Sequence, residues 1–535
     1  MAFGGTALIV LPVVGALILD FFFRLYRRRR RFKDLPKPPH SFLWGHLKLM
    51  GEIASEFPPN NHPQTYITTI ANRYNLKGIW YLDLWPIADP QVILTEPELM
   101  DAVQVKRVYN QHRISQELMS SLIGEDVVAT VNGPVWKKLH NAMAPAFLPS
   151  HIRTLTGLIA DETLIFRERL KSLANSGVVF SMEHEVSKLL FDIIGRIVFN
   201  FPLHAQTKGS SYLDDLKETI ELFNQQLSMN PFVKLRVALK KRSVRKRVDA
   251  SVAAKIQDRL AALRSESIVP SRKDPLSILD LMLRETVLQD GSRKGAKAIE
   301  LPPEELELLV TNVKGLLLGG MGTSVDTLCH LYMLLSKHPN VVQKLRKEHD
   351  RVFGKDLETT LETLKEFPVK LNELEYTTAV LKETLRLFPV GFGVKEAPAG
   401  ETISYQGREY PIDNLAIVPC WHTMHYDTRY FPEAGAFRPE RFLGDAVPRG
   451  WFRTFSRGPR ACLGQDMAMD NMRVIVLLTL RDFHFDVADL KPNPKPRGPF
   501  TDLDTIFGDV VFPELAMEAK PRGGMMMTVS ERCSS

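Results

Sequence analysis

The chain reads FSRGPRACLG from Phe455 to Gly464. This stretch sets one of only four cysteines between two glycines, with an arginine two residues before it. The other cysteines, Cys329, Cys420 and Cys533, are scattered, with no close pair and no C-x-x-C. Such spacing argues against a disulfide scaffold or a zinc site and suits a reducing compartment. Cys462 therefore needs a reason other than a bridge. Glycines lack a Cβ and let the backbone wrap closely around a sulfur, where amide N–H groups can reach it. The apolar run after Gly464, MAMDNMRVIVLLTL, predicts a helix whose N-terminal dipole points at a thiolate.

Working outward, 535 residues at 44% hydrophobic composition are ample for a large core. Length alone suggests several domains, at roughly 100 to 200 residues each. No long Gly/Ser or Pro-rich tract follows residue 50, so one large domain is expected over 47–535. The net charge of +7 is local: seven basic residues between Arg24 and Lys33, less Asp20 and Asp34, hold five of those charges. A nearly balanced remainder excludes a nucleic-acid-binding surface as the reason for the charge. The basic run follows TALIVLPVVGALILDFFF, residues 6–23. With Ala2 and Phe3 this makes about 20 largely apolar residues, enough to cross a bilayer core of roughly 30 Å. A cleaved signal peptide carries its positive charge before the apolar stretch, not after it. The expectation is a transmembrane anchor over 1–26 with the arginines cytoplasmic. A basic, proline-rich linker then follows over 27–46.

From about residue 60 to 385 apolar residues recur every three or four positions, the helical period. β-like pieces interrupt at Gly78–Glu96, ETISYQGREYPI and LAIVPC. Asp290–Glu305 is expected as a polar surface loop, and KKRSVRKR (Lys240–Arg247) as a solvated helix face. The fold class is mainly α with a minor β-sheet region.

The cysteine loop resembles the haem-binding signature of the cytochrome P450 superfamily, F-x-x-G-x-R-x-C-x-G, at every specified position. The resemblance covers nearly the whole chain. It implies a P450 fold holding haem b (iron protoporphyrin IX), with Cys462 as the thiolate axial ligand that favours O–O cleavage. It also implies that Gly458 and Gly464 allow close approach, that Phe455 covers the sulfur, and that Arg460 meets a haem propionate. ETLR (Glu383–Arg386) and FRPERF (Phe437–Phe442) follow the family order. They imply a buried structural triad of Glu383, Arg386 and Arg441 beneath the haem. WKKLHNAMAPAF (Trp136–Phe147) looks like the family helix that reaches a propionate through W-x-x-x-R, but here the fifth residue is His140. Lys395 likewise stands where the family often has arginine. Trp136, His140 and Lys395 are expected as softer propionate contacts.

TNVKGLLLGGMGTSVDTL (Thr311–Leu328) holds four glycines in one apolar helix. Each costs about 1 kcal/mol relative to alanine, which suggests that something must approach the backbone closely. The resemblance aligns GGMGTS with the distal A/G-G-x-D/E-T-T/S pattern. Thr323 then matches the threonine that assists oxygen activation and proton delivery. The acid of the pattern is absent, because Gly322 occupies its place. Asp326, about 5 Å further along the helix, is one candidate for a displaced relay, and ordered water is another.

The resemblance implies a monooxygenase that inserts one atom of dioxygen into an apolar small molecule by hydroxylation or epoxidation. Its electrons would come from NADPH-cytochrome P450 reductase, or from cytochrome b5, on the endoplasmic reticulum membrane. The chain has no G-x-G-x-x-G of its own after a strand. A reductase-independent haem-thiolate isomerase or dehydratase is the alternative that the missing acid favours, and a non-catalytic haem-binding protein is a third. Met321, Phe392, Val394 and Met525 are expected in the substrate pocket. Overall resemblance is to microsomal fungal members active in secondary metabolite biosynthesis.

Overall fold

The computed structural model describes residues 3–226, 230–273, 275–292, 300–391 and 393–532. Helices dominate, and the central one runs Pro303–Ser336. Its start is dictated locally: Pro303 sits in the first turn with Glu304 and Glu305, which favour the positive end of the dipole. From Leu309 onward nearly every side chain is buried, as expected of a helix apolar all round. It packs against the helices Met182–Phe199, Pro231–Ser265 and Glu375–Leu387. Among the described residues it is the one helix long and apolar enough to cross a bilayer, and two thirds of that window lies inside the protein.

The β region forms where sequence placed it, and in further places. Ile79–Leu82 (β1) pairs antiparallel with Gln91–Leu94 (β2), Ile79 opposite Leu94. β2 runs parallel to Ala416–Pro419 (β8), Gln91 opposite Ala416. Asn110–Gln111 (β3) and Lys395–Glu396 (β5) complete a five-stranded sheet in the order β1-β2-β8-β5-β3. Phe180–Ser181 (β4), Met526–Glu531 (β12) and Phe483–Val487 (β9) make a second sheet. Two hairpins stand apart: Thr402–Tyr405 (β6) with Arg408–Pro411 (β7), and Glu514–Leu515 (β10) with Ala519–Lys520 (β11). The larger core surrounds the central helix. A smaller one, with Phe32, Tyr81, Val92, Ile417 and Trp421, underlies the first sheet.

Two boundaries differ from expectation. The loop placed at Asp290–Glu305 is invaded at both ends, by the helix Ile278–Ser292 and by the central helix at Pro303. The N-terminal helix runs Phe3–Arg31, well into the basic segment. The reason is Arg29, which is buried, pairs with Asp83 and donates to the carbonyls of Phe42, Leu43 and Trp85 at 3.0, 3.1 and 3.2 Å. Leu25 and Phe32 are buried beside it, whereas Leu17, Ile18, Leu19, Phe22 and Phe23 are exposed. The linker is therefore fastened to the first sheet.

Candidate active site

Backbone turns shape the cysteine loop. Ser456 and Gly458 have positive φ (59° and 79°). The Ser456 N–H donates to Arg453 O at 2.7 Å and the Cys462 N–H to Phe455 O at 2.9 Å. Gly458 is compelled twice: its φ is left-handed, and a Cβ there would collide with the carbonyl oxygen of Gln104. Gly464 is not compelled in this way. A Cβ there would meet Phe147 at 3.8 Å and the Cys462 sulfur at 3.9 Å, both ordinary contact distances. The helix Gln465–Leu480 starts directly after it, as the apolar run predicted. Cys462 retains exposed surface although dense protein surrounds most of it. Burial pushes the thiol up, and the Gly464 N–H works the other way. A bound cationic metal would stabilise the thiolate instead.

Beneath the loop lies a network of buried charge. Glu383 takes a bidentate pair of bonds from Arg386 at 2.7 and 2.8 Å and one from Arg441 Nε at 3.1 Å. Arg386 also donates to the carbonyls of His425, Ala434 and Ala436. Glu383 and Arg386 are wholly buried, so every donor and acceptor needs a protein partner. The network continues through residues that sequence reading missed. The Arg453 N–H donates to His425 Nε2 at 3.3 Å. The Arg453 guanidinium, fully buried, donates to Asp101 at 2.9 Å and to Pro97 O at 3.0 Å. Arg457 reaches the same aspartate at 3.1 Å. An arginine two residues before Phe455 was the only available signal.

A second group gathers at the loop's other side. Arg460 lies over the Trp136 ring, 4.6 Å from its centroid, and donates to Val131 O at 2.9 Å. His140, one turn further along the helix Gly133–Met143, has its ring 5.0 Å from that of Trp136. Lys395 on β5 is buried. Burial, with Arg460 as a like-charged neighbour, pushes it down to about 8. Burial alone brings Arg460 down to about 10. Among the described residues no carboxylate forms an ion pair with either cation. Two desolvated cations without an anion are costly, and they fit a flat group that brings two carboxylates of its own. The haem implied by the resemblance has that form, so the residues present fit it.

The central helix supplies an open face. Gly319 is exposed, and a Cβ on it would meet nothing within 4 Å. Thr323, one turn on, donates its hydroxyl to Gly319 O at 2.8 Å. The other glycines serve packing: a Cβ on Gly315 would press Val127 at 3.1 Å, and one on Gly320 would press Ile194 at 3.2 Å. Of the expected pocket residues, Met321 and Met525 are buried, Met321 lining a cavity and Met525 in the main core. Val394 is half-buried and its carbonyl accepts from the His112 N–H at 3.0 Å. Phe392 lies outside the described residues.

A family model described as Cytochrome P450 matches residues 36–504. Cytochrome P450 monooxygenase acrF of Aspergillus aculeatus is 30% identical over 507 residues, covering 89% of this chain and 99% of that protein. Cytochrome P450 monooxygenase ptmG of Penicillium ochrochloron is 28% identical over 537 residues, covering 98% and 95%. The fold is similar to the crystal structure of the cytochrome P450DA heme domain, with a TM-score of 0.71 at 16% identity over 93% of this chain and 97% of that one.

Proposed function

The chain belongs to the cytochrome P450 family, and from that premise we propose a membrane-tethered enzyme that hydroxylates or epoxidises an apolar small molecule. As a P450 monooxygenase it is an oxidoreductase that holds haem with a cysteine thiolate as axial ligand. Its family implies a reductase partner and an organic substrate. When bound, the haem supplies dioxygen activation, helped by electron push from the thiolate.

The protein's own residues divide the remaining work. Cys462 would ligate the iron, held by a loop that Gly458 and the Arg453–Asp101 pair fix in shape. Arg460 and Lys395, with Trp136 and His140 beside them, would take the two propionates. Gly319 leaves room for the porphyrin plane. Thr323 Oγ1 would hold and pass a proton at that open face. Val394, just before β5, is a proposed substrate contact, and so is Phe392, which lies outside the described residues. The observation that carries the reading is buried Lys395 with half-buried Arg460 as its like-charged neighbour, neither ion-paired to a carboxylate among the described residues, beside a loop whose cysteine is exposed.

The apolar, exposed part of the N-terminal helix followed by arginines supports an endoplasmic reticulum anchor with the body cytosolic. NADPH-cytochrome P450 reductase, with cytochrome b5 as a second donor, is the proposed electron source on that membrane. The fungal relatives support a role in secondary metabolite biosynthesis. The test is incubation of the membrane-bound protein with reductase, NADPH and labelled dioxygen against apolar scaffolds. The expected product carries one labelled oxygen and needs NADPH. Product formed without NADPH and reductase would support an isomerase or dehydratase instead.

A further inference from the structure

The central helix has no acid beside Thr323, yet a carboxyl group stands there. A Cβ on Gly322 would collide with Glu518 Oε1 and lie 3.3 Å from Glu518 Cδ. The Glu518 carboxyl thus fills the volume that a side chain at 322 would take. Glu518 is 6% exposed and sits on the turn between β10 and β11. That turn is fastened by the Ala516 N–H to Glu518 O at 3.1 Å and by the Ala519 N–H to Val390 O at 3.0 Å. Asp326, one helical turn from Gly322, is 3% exposed. Neither Glu518 Oε2 nor Asp326 Oδ2 has a hydrogen-bond partner among the described residues. Buried carboxyl oxygens without donors weaken a fold, so packing does not account for this pair.

Both carboxyls wall a cavity of about 340 Å³ on the face of the helix that carries Met321 and Gly322. Glu183, Lys217, Glu218, Glu221 and Lys520 complete its charged lining. Glu183 and Lys520 pair at 3.0 Å and are partly exposed, so solvent reaches the outer wall. The arrangement runs from solvent through an ion pair to two buried acids, and ends at the backbone next to Thr323.

Resting on the monooxygenase reading, we propose that Glu518 supplies from the C-terminal hairpin the acid that the central helix lacks at Gly322, and that it passes protons from this cavity towards Thr323 with Asp326 as its buried neighbour. In each passage the Glu518 carboxyl gives its proton, through water, towards Thr323 Oγ1 and becomes a carboxylate. It is recharged by a proton from cavity water at the Glu183–Lys520 mouth. One proton moves inward and no electron is transferred. Burial, opposed by Lys520 and reinforced by Glu183, pushes Glu518 up to about 7. A carboxyl poised there both holds and releases a proton near neutrality. Burial first, then Glu518 and Glu183, holds Asp326 far above the usual carboxylate range, with Lys520 opposing. Burial holds Lys217 below its usual range.

The geometry sets an acid at 518 and a side chain at 322 in competition for one volume, which gives the experiment its form. The full-length, haem-loaded protein is titrated by infrared spectroscopy, and product formed per NADPH is measured with reductase. In the wild type a carboxyl band titrates between pH 6 and 8, and Glu518→Gln removes it. The same variant keeps its haem and its carbon monoxide difference spectrum but loses product per NADPH at least tenfold, a floor set one decade below the roughly 10²–10⁴-fold span of general acid catalysis. Moving the acid back to the helix, in Gly322→Asp/Glu518→Ala, restores coupling. Absence of the titrating band from the wild type overturns the proposal, as does a Glu518→Gln protein coupled within twofold of wild type. If Glu518→Gln does not fold, the wild-type titration decides alone. A wild type that makes no NADPH-dependent product overturns the monooxygenase reading, while the infrared band still tests the acid pair.

Discussion

Gly458 shows how much one residue decides. Its φ of 79° and the carbonyl of Gln104 against it leave no room for a side chain. Gly458→Ala is expected to lose about 2 kcal/mol or more of stability, since left-handed strain and backbone overlap add. Haem content per chain and thermal melting check it. Lys395 gives a pH signature. A lysine pushed down to about 8 is deprotonated in the native state while the unfolded chain still binds its proton up to about 10.4. Its destabilisation is thus fully present below pH 8 and fades as pH rises towards 10. In the haem-free protein, wild type is expected to gain stability over Lys395→Met across that window, measured by denaturation; a flat difference would count against a buried lysine. The cysteine, the triad and Thr323 were legible because their spacing along the chain is short and chemically constrained. Glu518 was not, because nothing in a hairpin near the C-terminus shows that it will abut Gly322. Arg453 and Asp101 were hidden for the same reason.

At the scale of elements, the helix Glu375–Leu387 and the cysteine loop act as one unit through Glu383, Arg386, His425 and Arg453. Removing one partner leaves the others charged and buried, at a cost of about 3 to 5 kcal/mol. Glu383→Gln is expected to lose that stability and release haem before the global transition, as seen by absorbance and circular dichroism in the same urea titration. Coincident transitions with wild-type midpoints would refute the coupling. The central helix was readable from its apolar run and its four glycines, but the meaning of each glycine was not. One opens a face, two accommodate packing and one abuts a carboxyl, and only the neighbours decide which.

At the scale of the whole molecule, the N-terminal helix does two things. Its exposed apolar part suits a bilayer, while Arg29, buried against Asp83, fastens it to the first sheet. Deleting residues 1–24 is therefore expected to move the protein from the membrane to the soluble fraction with little loss of stability. Arg29→Ala in the full chain should cost about 3 kcal/mol by leaving buried Asp83 without its guanidinium partner and with only His40 to pair with it, at 3.1 Å. Flotation and melting measurements separate the two effects. The sequence reading of mainly helix with a minor sheet holds for the molecule. The packed linker escaped it, because a run of arginines does not reveal which one turns inward.

The central claim is that the Cys462 sulfur binds haem iron in the resting protein. The most direct measurement is the haem content and carbon monoxide difference spectrum of purified wild type and Cys462→Ser. One haem per chain with a thiolate-type spectrum in the wild type, lost on substitution, is the predicted result. Identical spectra from both proteins would contradict it.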